Sequence, residues 1–232
     1  MERFVCLSSA EPDQISPALL RDLGMTAQQL YGSPQNIAAA AEKLCADRGG
    51  KICRLPFCNT LESEALGASV RLDERGARVP QPPYASTADL PARFSLSSPR
   101  INATLAAVRA LTGQSLCVAY GVTGVFTILS QLIPMGALFK SLRRDEGREL
   151  LKRMEDACVD YAARAWRAGA RILSYADPVA TVDIVGSRTF SMHVAPSVRR
   201  LISGVRLCCP GMTVFLCGKM TQSLLDAGAV RC

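Results

Sequence analysis

The sequence predicts an α/β fold, a parallel sheet or a barrel of the (β/α)8 TIM-barrel type, and three observations predict it. Short apolar runs alternate with segments of helical periodicity along the chain. Polar, acidic or thiol-bearing residues stand directly after those apolar runs. No internal repeat or low-complexity tract interrupts the pattern. Strand–helix alternation is the signature of a parallel sheet or barrel. In such folds the residues just past the strand ends open on the face that carries chemistry. The 232 residues are expected to form a single domain, residues 1–232, with an excursion at about 67–100.

Each element has its own local reason. Residues 4–9 (FVCLSS) read as a short strand. Helices are expected over 16–23 and 35–47, the second with Ser33 as cap, Pro34 in its first turn and an end near Gly49-Gly50. Residues 51–57 (KICRLPF) form a strand, and 60–66 a short helix that Thr60 or Ser63 can cap. Over 67–100 the composition shifts to Gly, Pro and Ser. There SVRL and ARVP, joined by DERG, read as a hairpin, and the rest as a loop. A helix over 101–111, with Ser98 or Asn102 near its start, leads to a buried strand at 115–122 that ends in the turn-forming Gly121–Gly124. Residues 145–168 carry the strongest helical pattern. Leu151, Met154, Cys158, Tyr161 and Ala165 lie on one stripe, with Asp145 to cap the start and Gly169 the end. A strand at 170–177, a helix over 187–203 that contains Pro196 and is punctuated by Gly204, a strand at 212–218 and a helix over 221–227 complete the chain. Five core strands are expected where a full barrel has eight, so the barrel is expected to be incomplete and to lack its last strands.

Composition narrows the function. Hydrophobic residues are 49% and charged residues 20%, enough apolar surface to exclude intrinsic disorder. The net charge is +7, but many basic residues follow acids at helical spacing, as in Glu149/Arg153 and Asp160/Arg164, which reads as solvated helix faces. Aromatic residues are 6% with one Trp, so base-stacking platforms are scarce and no nucleic-acid partner is expected. The longest apolar stretch, Leu116 to Leu142, is broken by Gly121, Gly124, Pro134 and Gly136, so no membrane span is expected. The N-terminal MERFVCLSSAEPDQ lacks the basic-then-apolar order of a secretory leader, which leaves a cytoplasmic location as the expectation. The ten cysteines include no C-x-x-C pair, and several sit in apolar runs, as reduced and buried thiols do.

Candidate site residues gather after the strand ends. Asn59 and Glu62 follow the strand at 51–57, Thr123 and Gly124 the strand at 115–122, Asp177 the strand at 170–177, and Cys217 lies in the last one. Each has a structural alternative: Asp177 caps the turn after it, Glu62 is a first-turn helix acid, and Cys217 is a buried barrel residue. The Thr123-Gly124 turn is one where backbone can approach a ligand. His193 reads as a surface or core residue.

Four segments in a common order carry a resemblance. They are KICRLPFCNTLESEALGASV (51–70), AYGVTGVFTILSQLIPMGALF (119–139), AGARILSYADPVATVDIVGSRTF (168–190) and VFLCGKMTQSLLDAGA (214–229). Together, over roughly Leu19 to Ala229, they resemble the uroporphyrinogen decarboxylase superfamily, in its corrinoid branch of methylcobamide:coenzyme M methyltransferases. The resemblance implies a β/α barrel and movement of a methyl group between a methylcorrinoid, carried by a corrinoid protein partner, and a thiol or other acceptor. It implies Asp177 and Asn59 as catalytic side chains, with Thr123, Gly124, Gln131 and Glu62 around the substrate. Zinc would bind the acceptor thiol through the family's His-x-Cys motif. Cys217 matches that Cys, but Phe215 stands at the His position and the second Cys would lie beyond Cys232.

Departures from the decarboxylases make decarboxylation the third, disfavoured reading. Asn59 stands where they have Asp, Gln131 replaces a Tyr near TILSQLIP, and the N-terminus offers only Arg3 and Arg21 in place of an arginine-rich segment. The second reading is a non-catalytic truncated paralogue, or a subunit completed by a homodimer partner or another chain.

Overall fold

The computed structural model describes residues 15–73 and 76–230. The expected strand at 4–9, Arg3, Cys6, Cys232 and the centre of the 73–76 turn lie outside the described residues. Three helices come first: α1 (Pro17–Asp22), α2 (Ala27–Gly32) and α3 (Pro34–Asp47). Ser33 caps α3 as expected, its Oγ accepting the Asn36 amide at 3.4 Å. Helix α2 was not expected. Six residues are too few to display a periodicity, and its signal is the capping box of Thr26 and Gln29 instead, at 3.2 and 2.8 Å.

The expected order then unfolds: β1 (Ile52–Leu55), α4 (Leu61–Ala65), the antiparallel hairpin β2 (Arg71–Asp73) and β3 (Gly76–Arg78), and α5 (Pro99–Gly113) capped by Ser98. Next come β4 (Cys117–Thr123), α6 (Val125–Leu132), α7 (Met135–Ser141), α8 (Asp145–Arg167) and β5 (Ile172–Ala176). Last are α9 (Val182–Val185), α10 (Ser187–Thr189), a π-helical segment (Phe190–Val194), α11 (Ala195–Cys208), β6 (Thr213–Leu216) and α12 (Gly218–Asp226). The main sheet has the order β1-β4-β5-β6 with every pairing parallel. Each core strand lies beside the previous one in the chain, without the reversal of a doubly wound sheet, which is barrel progression. These are four parallel strands of an incomplete barrel. Tyr120, Leu173 and Tyr175 of the two central strands are fully buried, and Tyr120 meets Tyr161 of α8 at 2.6 Å between hydroxyls.

Several local expectations are corrected. The apolar stretch after β4 forms α6 and α7. Helix α6 is buried on nearly every side, so it has no polar face to give it a helical stripe. Arg144, not Asp145, is the cap residue of α8, and Asp145 pairs with Arg148 in the first turn. Gly204 does not end a helix. It lies inside α11 where that helix crosses α8, and a Cβ there would sit 2.8 Å from a methyl of Val159. Pro196 is accommodated in the first turn of α11, just after Phe190–Val194 are wound as a π turn, which widens the backbone ahead of its ring. The basic face of α8 is not simply solvated. Arg153 donates to the Ala92 carbonyl at 2.7 Å and stacks over Phe94, while Arg164 donates to the Leu96 carbonyl and to Asn102. These arginines pin the excursion loop to the helix. Gly169, with φ +114°, does end α8 as expected.

Candidate functional site

The parallel register sets the carboxyl ends of β1, β4, β5 and β6 along one edge of the sheet, and all the strand-end candidates stand there. Two buried carboxylates clamp the β4–α6 junction. Glu62 accepts the Thr123 amide at 2.8 Å and the Thr123 hydroxyl at 2.9 Å, one on each oxygen. Asp177 accepts the amides of Phe126 and Thr127 at 3.0 and 2.8 Å and the Thr127 hydroxyl at 2.7 Å. Helix α6 has Gly124 as its cap residue and no capping side chain of its own, so Asp177 supplies the cap from the neighbouring strand end. Glycine is required there. A Cβ on residue 124 would lie 2.1 Å from the Asp177 Cβ and 2.3 Å from its Oδ2. Both acids are enclosed, at 0% and 1% exposure. Burial raises the pKa of each above its ordinary value, and the amide and hydroxyl donors pull the other way. Asp177 and Glu62 therefore hold the backbone of the β4–α6 junction in place.

Other residues lie closer to solvent. Asn59 is exposed after β1, and Gln131 on α6 is half-buried, its Oε1 accepting the Ser63 hydroxyl at 2.6 Å. The most organised polar group at this edge was missed in the sequence. Arg100, in the first turn of α5, donates to Cys58 Sγ at 3.3 Å and to Glu64 at 3.0 Å, and its guanidinium stacks 4.9 Å from the Tyr31 ring centroid. Thr60 donates to the same sulfur at 3.4 Å, and burial pushes the Tyr31 hydroxyl pKa up. Its signal was a cation placed at a helix N-terminus, where the macrodipole disfavours one unless another group holds it.

Cys217 is buried at the end of β6, its amide bonded to the Tyr175 carbonyl at 3.1 Å. That bond brings it to the same edge as Asp177. Phe215, at the position of the family's histidine, has no metal-ligating atom and is 45% exposed on the edge strand. Among the described residues no three His, Cys, Asp or Glu side chains converge to hold a metal. A structural zinc site needs about four such ligands and a catalytic one about three, so the described residues around Cys217 do not by themselves make up a zinc site.

Comparison with known proteins agrees with this architecture. The family model described as Uroporphyrinogen decarboxylase (URO-D) matches residues 17–232. The Methylcobamide:CoM methyltransferase MtaA of Methanosarcina barkeri (strain Fusaro / DSM 804) is 28% identical over 219 residues, 90% of this chain and 63% of that protein. The Methylcobamide:CoM methyltransferase MtbA of Methanosarcina mazei is 24% identical over 207 residues, 84% of this chain and 60% of its own length. The chain thus spans less than two thirds of these relatives. A solved methyltransferase from Methanosarcina mazei superposes with a TM-score of 0.79 at 22% identity, covering 97% of this chain and 67% of that one, and shares the fold. With the family model matched along nearly its whole length, the chain belongs to the uroporphyrinogen decarboxylase (URO-D) family.

Proposed function

We propose that the carboxyl-end face of the sheet serves methyl transfer from a methylcorrinoid to a thiol or related acceptor. The observation that carries this reading is the likeness, over 90% of the chain, to a protein named as a methylcobamide:CoM methyltransferase. The reaction breaks a cobalt–carbon bond and forms a sulfur–carbon bond, with the electron pair of the broken bond left on cobalt and the thiol's proton released to solvent. The chain's contribution is positioning. Glu62 and Asp177 fix the β4–α6 junction, Gly124 admits the Asp177 cap, and Asn59 and Gln131 are the polar side chains left to meet a substrate. Thr123 is committed to Glu62 and acts through the backbone it anchors. No step is assigned to zinc, because the described residues around Cys217 do not make up a zinc ligand set. The methyl donor would arrive on a corrinoid protein, and the outer edge of β6 is where a strand from a second copy or another chain would complete the sheet. Location in the cytoplasm belongs to the same reading.

The test is incubation of the intact chain with methylcobalamin and 2-mercaptoethanesulfonate. Demethylation of the corrinoid is followed by its visible spectrum, and the S-methyl thioether by mass spectrometry. Thioether formed well above the protein-free rate is expected. No turnover ends the proposal, and conversion of uroporphyrinogen to coproporphyrinogen replaces it with decarboxylation.

A further inference from the structure

A groove of about 730 Å³ lies apart from the strand ends, between the start of α8 and the α9–α10 segment. Because α8 runs down to the amino ends of the strands and α9 follows the end of β5, the groove opens on the carboxyl-end side of the sheet. Its charged lining is of one sign. Arg143, Arg144 and Arg148 come from one wall and Arg188 from the other. Two carboxylates reach these cations, Asp145 on Arg148 and Glu146 on Arg144 at 3.8 Å, but both pairs are solvent-exposed and weak. No ion pair is formed by Arg143 or Arg188 among the described residues. Helix α8, 23 residues long, has no side chain capping its N-terminus at the same wall. The rest of the lining is apolar. Ile184 and Met192 are two of the few large hydrophobic side chains that stand exposed among the described residues, and Phe139 and Leu142 also line the groove.

Guanidinium groups recognise phosphate oxygens by paired hydrogen bonds, and a cavity of several hundred Å³ is the size of a small-molecule site. A monoanion would leave most of this charge unmatched, and an inorganic ion would leave the aliphatic wall in water. We propose that this groove binds an organic phosphate, its multiply charged head between Arg143 and Arg188 and its apolar body against Ile184 and Met192. The site is independent of the methyl-transfer reading and stands or falls without it.

His193 supplies a built-in reporter. It lines the groove and is the only histidine in the chain. Burial, and then the nearby Arg148, hold its imidazole pKa below the ordinary value. A bound polyanion offsets the Arg148 charge and raises that pKa.

The experiment uses the intact chain and three probes: dimethylallyl diphosphate, inorganic pyrophosphate and a hexaglutamate peptide. Calorimetry measures affinity, and the single imidazole resonance reads the His193 titration. Dimethylallyl diphosphate is expected to bind roughly ten-fold more tightly than pyrophosphate, through its buried methyl and methylene groups, and to move the His193 pKa upward. The Arg143→Glu/Arg188→Glu variant is expected to weaken it at least about ten-fold. The Ile184→Ser/Met192→Ser variant is expected to remove the preference over pyrophosphate while keeping affinity for the head. All four positions are exposed, so the variants are expected to fold, which circular dichroism checks. Equal affinity for the two phosphates, indifference to the arginine reversal or an unmoved His193 overturns the proposal. Tighter binding of hexaglutamate than of either phosphate overturns it in favour of an acidic protein segment.

Discussion

Asp177 and Gly124 form the most demanding pair of single positions in the molecule. The carboxylate replaces the missing cap of α6, and it fits only because residue 124 has no side chain. Gly124→Ala is expected to cost about 1–3 kcal/mol, an overpacking penalty against the buried Asp177 side chain. Combining it with Asp177→Gly, which removes the atoms the new methyl would strike, should cost less than the two changes summed. Urea denaturation of the four proteins measures that coupling, and strict additivity would refute the close fit. Glu62 makes a second prediction through its pKa. Burial outweighs its hydrogen bonds and raises it from the ordinary 4.5. A carboxyl whose folded pKa lies above its unfolded one binds its proton more firmly in the native state. Its contribution to stability is therefore fully present below the unfolded pKa and declines as pH rises through the folded one. Glu62→Gln should flatten that decline as pH rises above the ordinary 4.5, measured as the shift in denaturation midpoint with pH. An unchanged slope would show that Glu62 is not the group responsible. Neither role was legible at these positions alone. YADP allowed a site residue or a local cap, and the true cap acts on a helix some 50 residues away in the chain.

At the scale of elements, legibility followed amphipathicity. Helix α8 was read nearly to its ends because one face is buried and the other is charged. Helix α6 was missed because it is enclosed on almost every side, and α2 because it is shorter than two full periods. The glycine inside α11 misled for a physical reason: a helix-interrupting residue and a helix-crossing residue look alike until the second helix is placed. At Gly204 the neighbour is Val159, and the adjacent Glu155–Arg200 bidentate pair at 2.7 and 2.8 Å fixes the crossing. Gly204→Leu should therefore push α11 off α8 and destabilise the fold by about 1–3 kcal/mol. Val159→Ala should recover part of that loss, because it vacates the space the new side chain needs. Thermal unfolding of the single and double variants decides the matter. A Leu that leaves the melting temperature unchanged would mean that the two helices are not in close contact there.

The whole-molecule architecture was readable because alternation and strand-end polarity are properties of the chain as a sequence, whereas the partnerships of Arg100, Arg153 and Arg164 depend on loops that return from far away. The sheet they surround ends, among the described residues, on β1 and β6, each paired on one side only. The two edges differ. Alternate residues of β1, Cys53 and Leu55, are buried, while all of β6 is at least partly exposed and Phe215 lies open to solvent. A strand with one unpaired row of amides and carbonyls and an open aromatic side chain is a template for association. The chain should self-associate with rising concentration through β6. Phe215→Lys puts a charge on that edge, where natural sheets place one to prevent pairing, at a side chain that is 45% exposed. It should lower the weight-average mass in sedimentation equilibrium at high concentration and leave stability within about 0.5 kcal/mol of the parent. Ile52→Lys, at the other edge, serves as the control and should leave the association in place. A parent protein that stays monomeric at every concentration, or an Ile52→Lys variant that dissociates as readily as Phe215→Lys, would show that β6 is not the edge that recruits a partner.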